Sequence, residues 1–278
     1  MNAAIAGMTI VFPTLPLEDN LALHAELGFQ AVEVWKPHLG TRLGPRMLGA
    51  VARQAQAADL TLSALNAIGE PYFDPFRDEQ SFAATVHGLK ADLALCAHTG
   101  MRTLAVWEGR PRPDRDRAWH LEILVRLFTG ALEEAQALGV ERILFEPHPF
   151  TVGFTLGGIP ELCQRVGSDH FGIILDTCHL SVAYPRDYLD RMADLVPFAK
   201  HLHLGDSDLT TSELHYPPGV GLVDLPACMR VLRAGGFAGS VAWDLYSWPF
   251  PKQAIRRYEP VLADLVDQLS VPAPEGSP

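Results

Sequence analysis

The chain has 278 residues, 48% hydrophobic and only 20% charged, which excludes an intrinsically disordered polymer and suits one large core or two small ones. Its 22 basic residues against 33 acidic give a formal charge of −11, which argues against broad electrostatic binding to DNA or RNA. No apolar run approaches the roughly 18 residues that a membrane span requires, and the start Met1–Met8 lacks the basic segment of a signal peptide.

Short apolar, β-branched runs recur along the chain: Ile5–Phe12, Ala31–Trp35, Leu60–Leu65, Thr103–Trp107, Arg142–Phe145, Phe171–Leu175, His201–Leu204 and Ser240–Leu245. Helical periodicity fills the gaps, over about 17–27, 45–58, 81–97, 117–138, 188–198, 225–234 and 252–269, with a shorter helix at 159–166. The clearest case is 117–138, where Leu124, Phe128, Ala131, Ala135 and Leu138 fall on one face. Gly28, Gly100, Gly139 and Gly235-Gly236 follow helices, as C-caps should. Eight strand–helix units predict an α/β chain folded as a single (β/α)8 TIM barrel over residues 1–270, with 271–278 a frayed Pro/Ser/Gly tail. A doubly wound sheet is the alternative, but Phe12-Pro-Thr-Leu-Pro after the first strand is not its Gly-rich fingerprint. Cys96, Cys163, Cys178 and Cys228 form no Cys-x-x-Cys pair, which fits a reducing, cytoplasmic setting.

In such a barrel, chemistry sits where strands run out into the following loops. Strand five ends Phe145-Glu146-Pro-His148-Pro, strand six Leu175-Asp176-Thr-Cys-His179, strand seven His201-Leu-His203-Leu-Gly-Asp206, and strand eight Trp243-Asp244-Leu-Tyr. Each alone has a plain reading: a salt-bridged Glu, a turn-capping Asp with a surface His, a core His. Together, Glu146, Asp176, His203 and Asp244 aim three carboxylates and one imidazole at one mouth. Those carboxylates repel each other unless a cation neutralises them. The donor set suits Mn²⁺, Mg²⁺ or Co²⁺, and Zn²⁺ also fits.

These motifs resemble the xylose isomerase-like TIM barrels, a family of sugar isomerases, ketose 3-epimerases, inosose dehydratases and apurinic-site endonucleases. The resemblance runs from Ala31-Val-Glu33-Val-Trp35 to Asp244-Leu-Tyr-Ser. It implies metal ligation by Glu146, Asp176, His203 and Asp244, the last one methylene shorter than the family's usual Glu. It further implies that His179 and Glu33 lie near substrate oxygens. The segment His215-Tyr-Pro-Pro-Gly219-Val-Gly221-Leu-Val-Asp224 is similar to the family's Pro-Gly-x-Gly-x-x-Asp loop. Trp35, Trp107 and His215 are candidates to line the mouth; Arg110 and Arg112 are either mouth residues or solvated loop charges.

The implied activity is isomerisation or epimerisation of a sugar or keto-polyol in carbohydrate metabolism. A proton is abstracted beside a carbonyl through a metal-stabilised enediolate, with Glu146 and Asp244 as the proton carriers. Partners would be the small-molecule substrate and, in oligomers, further copies of the chain, with no nucleic acid or membrane. A dehydratase of the 3-dehydroshikimate or inosose type is the main rival, because Glu146-Pro-His148-Pro resembles its Glu-x-His-Pro and brings His148 to the reaction centre. An accessory barrel with reduced reactivity is a third reading, given the short Asp244. The endonuclease reading lacks a histidine in 61–70 and a basic face.

Overall fold

The computed structural model describes residues 5–40 and 44–270. Eight parallel strands close into a barrel in chain order: β1 (Ile5–Met8), β2 (Ala31–Trp35), β3 (Thr61–Asn66), β4 (Thr103–Val106), β5 (Arg142–Phe145), β6 (Phe171–Asp176), β7 (Ala199–Leu204) and β8 (Ser240–Trp243). The helices are α1 (Leu17–Glu26), α2 (Pro45–Ala57), α3 (Glu79–Thr99), α4 (Arg117–Leu138), α5 (Val152–Leu156), α6 (Ile159–Val166), α7 (Thr177–Ala183), α8 (Tyr188–Leu195), α9 (Leu225–Ala234) and α10 (Pro251–Ser270). This is the expected (β/α)8 barrel; the tail 271–278 lies outside the described residues. Among the described residues, no helix is long and apolar enough to cross a membrane.

Strand alternation sorts the side chains into two sets. Val32, Val34, Leu65, Ile143, Phe145, Ile173, Leu175, Leu202, Leu204, Val241 and Trp243 join the large core beneath the helices. There the Phe128 ring of α4 lies 4.8 Å from Phe171 and 5.9 Å from Phe145. Burying each such ring contributes about 1.5–3 kcal/mol. Ala105, Leu144 and Ile174 form a separate small cluster. They share strand parity with Trp107, Glu146 and Asp176, so the apolar inner layer leads directly to the polar strand ends.

Two departures from the expected elements have local causes. The first strand stops at Met8 and Thr9–Val11 forms a 3-10 turn. Asn20 Nδ2 donates to the Thr9 and Phe12 carbonyls at 3.1 Å each, and Thr9 Oγ1 accepts from Trp35 N at 2.8 Å, so side chains replace the ladder. After β6, the extra helix α7 begins because Asp176 Oδ1 caps His179 N at 2.7 Å.

Candidate active site

Glu146 follows β5, Asp176 ends β6, His203 precedes the last residue of β7 and Asp244 follows β8. Register pairs Asp176 with His203 across β6 and β7. Over these strand ends opens a cavity of about 270 Å³, whose lining includes Trp35, Trp107, Glu146, His148, His179, His203, His215 and Asp244. Asn66, Phe150 and Tyr246 line it as well.

Ligand atoms of Glu146, Asp176 and His203 all lie within 4.8 Å of one another. His203 Nδ1 is 2.5 Å from Glu146 Oε1 and 4.0 Å from Asp244 Oδ2, so all four candidates converge. His148 Nε2 donates to Glu146 Oε2 at 2.9 Å, and its ring centroid is 3.9 Å from that of His179. His215 Nδ1 stands 3.1 Å from Asp244 Oδ2 and 3.9 Å from Asp176 Oδ2. Asp176 and Asp244 each divide their two oxygens. One is spent on backbone, with Asp176 Oδ1 capping α7 and Asp244 Oδ1 taking Tyr246 N at 2.7 Å. The other faces the site. Asp176 Oδ2 is buried and has no hydrogen-bond partner among the described residues.

Burial pushes Asp176 up to about 7, with the charges of Glu146 and Asp244 adding to the rise and His215 opposing it. Burial also acts to raise Glu146, but the His203 and His148 rings overcome it and hold that carboxyl well below the usual range. Burial acts to lower His203 and His215; the carboxylates around them win and raise both well above an ordinary histidine. His179 is pushed well below by burial and by neighbouring His148. Three carboxylates around one imidazole, one of them with a partnerless buried oxygen, fit a bound divalent cation. Glu146, Asp176, His203 and Asp244 are the residues that would hold it.

Glu33, expected near substrate, is fully buried and, like Asp176, absent from the cavity lining, although it touches the lining residues Asn66 and His203. Standing two residues before the end of β2, its side chain enters the barrel below the mouth, and Trp35 on the same face reaches the cavity instead. His201 is likewise buried and outside the lining, its Nδ1 2.7 Å from Ser240 Oγ at the start of β8. Arg112 pairs with Asp114 in the loop at 2.9 Å, and Arg110 lies over the Phe150 ring at 4.4 Å.

Sequence reasoning missed three residues. Asn66 ends β3 as a polar break, lines the cavity and donates to Glu33 Oε1 at 2.6 Å. Glu108, just past β4, is fully buried and pushed up to about 7 by burial. It accepts from Thr151 Oγ1 at 2.5 Å and Gly153 N at 2.8 Å, bracing the turn that carries His148. The polar-break rule, applied to strands three and four, would have found both. The third is Asp206, just past β7. Its buried carboxylate accepts from Ser207, Gly219, Gly221 and Val223 N–H groups at 2.8–3.0 Å, folding the loop that delivers His215. Asp206→Ala leaves four donors to be satisfied elsewhere. It is expected to cost about 3 kcal/mol or more in chemical denaturation; a loss below about 1 kcal/mol would show that the loop holds itself.

A sequence model of the xylose isomerase-like TIM barrel matches residues 21–258. An inosose isomerase from Halalkalibacterium halodurans is 28% identical over 128 residues; the match spans 44% of this chain and 45% of that protein. Among solved structures, the IolI protein with a bound zinc atom superposes with a TM-score of 0.82 at 20% identity, covering 96% of this chain and 99% of that one. An L-ribulose 3-epimerase superposes at 0.77 with 17% identity, covering 96% of each chain. D-psicose 3-epimerase from Clostridium cellulolyticum H10, solved with D-tagatose, gives 0.72 at 15% identity, covering 96% and 95%. At these identities the structural likeness speaks to the fold, while the family model covers most of the chain. The protein belongs to the xylose isomerase-like TIM barrel family.

Proposed function

We propose that this protein is a divalent-metal-dependent isomerase or epimerase acting on a keto-sugar or keto-polyol. The observation that carries the reading is the convergence of Glu146, Asp176 and His203, with Asp244 beside them and Asp176 Oδ2 unpartnered. The partial sequence match to an inosose isomerase supports the same reaction class. A bound divalent ion supplies Lewis acidity, lowering the cost of negative charge on the oxygens beside the reacting C–H.

The chain's own residues supply proton handling and orientation. Glu146 takes a proton, and His148, donating Nε2–H to its Oε2, fixes the carboxylate. Asp244, on the other side of His203, is the second carrier, steadied by His215. Trp35 and Trp107 offer flat apolar walls. Among the described residues, no lysine or arginine lines the cavity, so His148, His203 and His215 are its basic groups.

The His148–Glu146 hydrogen bond in the cavity favours a second reading, a lyase in which His148 carries the proton that accompanies water loss. The test is a panel of keto-sugars, inososes and 3-dehydroshikimate incubated with Mn²⁺ in D₂O. Deuterium is expected at one carbon next to the carbonyl of a keto-sugar or inosose, with an isomer or epimer as product. A dehydrated product would select the lyase. No exchange with any member of the panel would overturn both.

A further inference from the structure

We infer that Glu33 is a positioning residue that takes the Nε2–H of His203 and so commits His203 Nδ1 to the ion held with Glu146, Asp176 and Asp244. The inference rests on the metal reading above and assigns a task to a residue outside the cavity.

An imidazole can ligate through either nitrogen, and the group hydrogen-bonded to the other one decides which. The two nitrogens of His203 face different surroundings. Nδ1 stands 2.5 Å from Glu146 Oε1 and 4.0 Å from Asp244 Oδ2, both cavity-lining residues. Nε2 stands 3.3 Å from Glu33 Oε2, away from the cavity. Glu33 is fully buried and touches the lining residues Asn66 and His203 from behind. A carboxylate in a barrel interior is expensive unless its partners hold it closely. Asn66 Nδ2 donates to Oε1 at 2.6 Å and His203 Nε2 lies 3.3 Å from Oε2; His201 Nε2 stands 3.3 Å from Oε2 without hydrogen-bonding to it. His201 is fixed in turn by Ser240 and sits edge-on to His203 at 5.1 Å. Glu33 is therefore a rigid acceptor placed behind one ring nitrogen.

Glu33, His201 and His203 could themselves gather round an ion, since their donor atoms also lie within 4.8 Å of one another. Such a site would use His203 Nε2, the nitrogen opposite the one assigned here. The experiment separates the two.

Wild-type protein with ¹⁵N-labelled histidine is loaded with zinc, and the His203 ring is assigned by its loss in His203→Asn. The expected result is zinc on Nδ1 and a slowly exchanging proton on Nε2; zinc on Nε2 overturns the inference. In parallel, zinc affinity is measured by competition with a chelator. Glu33→Gln is expected to bind about 10-fold and Glu33→Ala about 100-fold more weakly than wild type, the range for removing a ligand's outer partner. Folded variants that both bind within twofold of wild type would mean that Glu33 is only a core ion pair. Should the alanine variant fail to fold, the wild-type ring assignment decides. Wild-type protein that takes up no zinc would remove the metal reading itself, and this inference with it.

Discussion

Asp176→Ala is expected to abolish divalent-metal binding while leaving the barrel folded, as followed by zinc or manganese titration beside a thermal melt. The loss should exceed the roughly 10–100-fold that removing an outer partner costs. The effect on the metal-free fold should be small because two contributions oppose. Losing the α7 cap to His179 N costs about 1 kcal/mol. Removing a buried carboxyl with one partnerless oxygen, crowded by Glu146 and Asp244, gives much of that back. His203→Ala should also lose the metal but at a higher price in stability. It strips Glu33 and Glu146 of their shared ring, and exposing a buried pair in this way costs about 3–5 kcal/mol. Full metal stoichiometry in folded Asp176→Ala would refute the ligand assignment.

The second large effect concerns Asp244. Asp244→Ala is expected to weaken metal binding, and Asp244→Glu to retain it while lowering turnover at least tenfold. Asp244 Oδ1 is tied to Tyr246 N, leaving only Oδ2 for the site. A glutamate carries the carboxylate about 1.5 Å further, one C–C bond. An ion tolerates that shift by adjusting its ligands, whereas proton transfer depends on hydrogen-bond reach to a single C–H. His148→Ala should then reduce turnover moderately, through the loosened Glu146 carboxylate. If instead Asp244→Glu turns over within a few-fold of wild type and His148→Ala loses about 10²–10⁴-fold, His148 is the proton carrier and the lyase reading gains. Unchanged binding and turnover in Asp244→Ala would contradict both readings. Measuring binding and turnover on the same protein samples keeps the two demands on Asp244 apart.

How much of this was legible beforehand differs from residue to residue. Glu146, Asp176, His203 and Asp244 could be picked out because each carboxylate or imidazole interrupts an apolar strand at its end. A polar residue there is costly without a partner. The same signal is weaker at Asn66 and Glu108, because an amide is cheaper to bury than a charge and Glu108 lies beyond Trp107 in the loop after β4. Glu33 shows what strand parity leaves open. Its parity places it inside the barrel, but depth along the strand, two residues from the end, separates a mouth residue from one behind His203.

The sequence by itself determined the (β/α)8 architecture, because period-2 and period-3.6 apolar patterns alternate and each pattern buries its own face. It also determined which residue types crowd the mouth, since strand ends in this fold point one way. Only the tertiary structure decided how single atoms are spent. Asp176 gives one oxygen to α7 and leaves the other partnerless; Asp206 spends both on loop N–H groups; His203 turns Nδ1 to the cavity and Nε2 to Glu33. Some of those choices are local, as in the Asp176 cap on His179. The ones at His203 depend on distances of about 3 Å to Glu33 and Glu146, far away in the chain, and hydrogen bonds weaken steeply with misalignment. Residue patterns carry parity and burial; that precision arises only when eight strands close on one another.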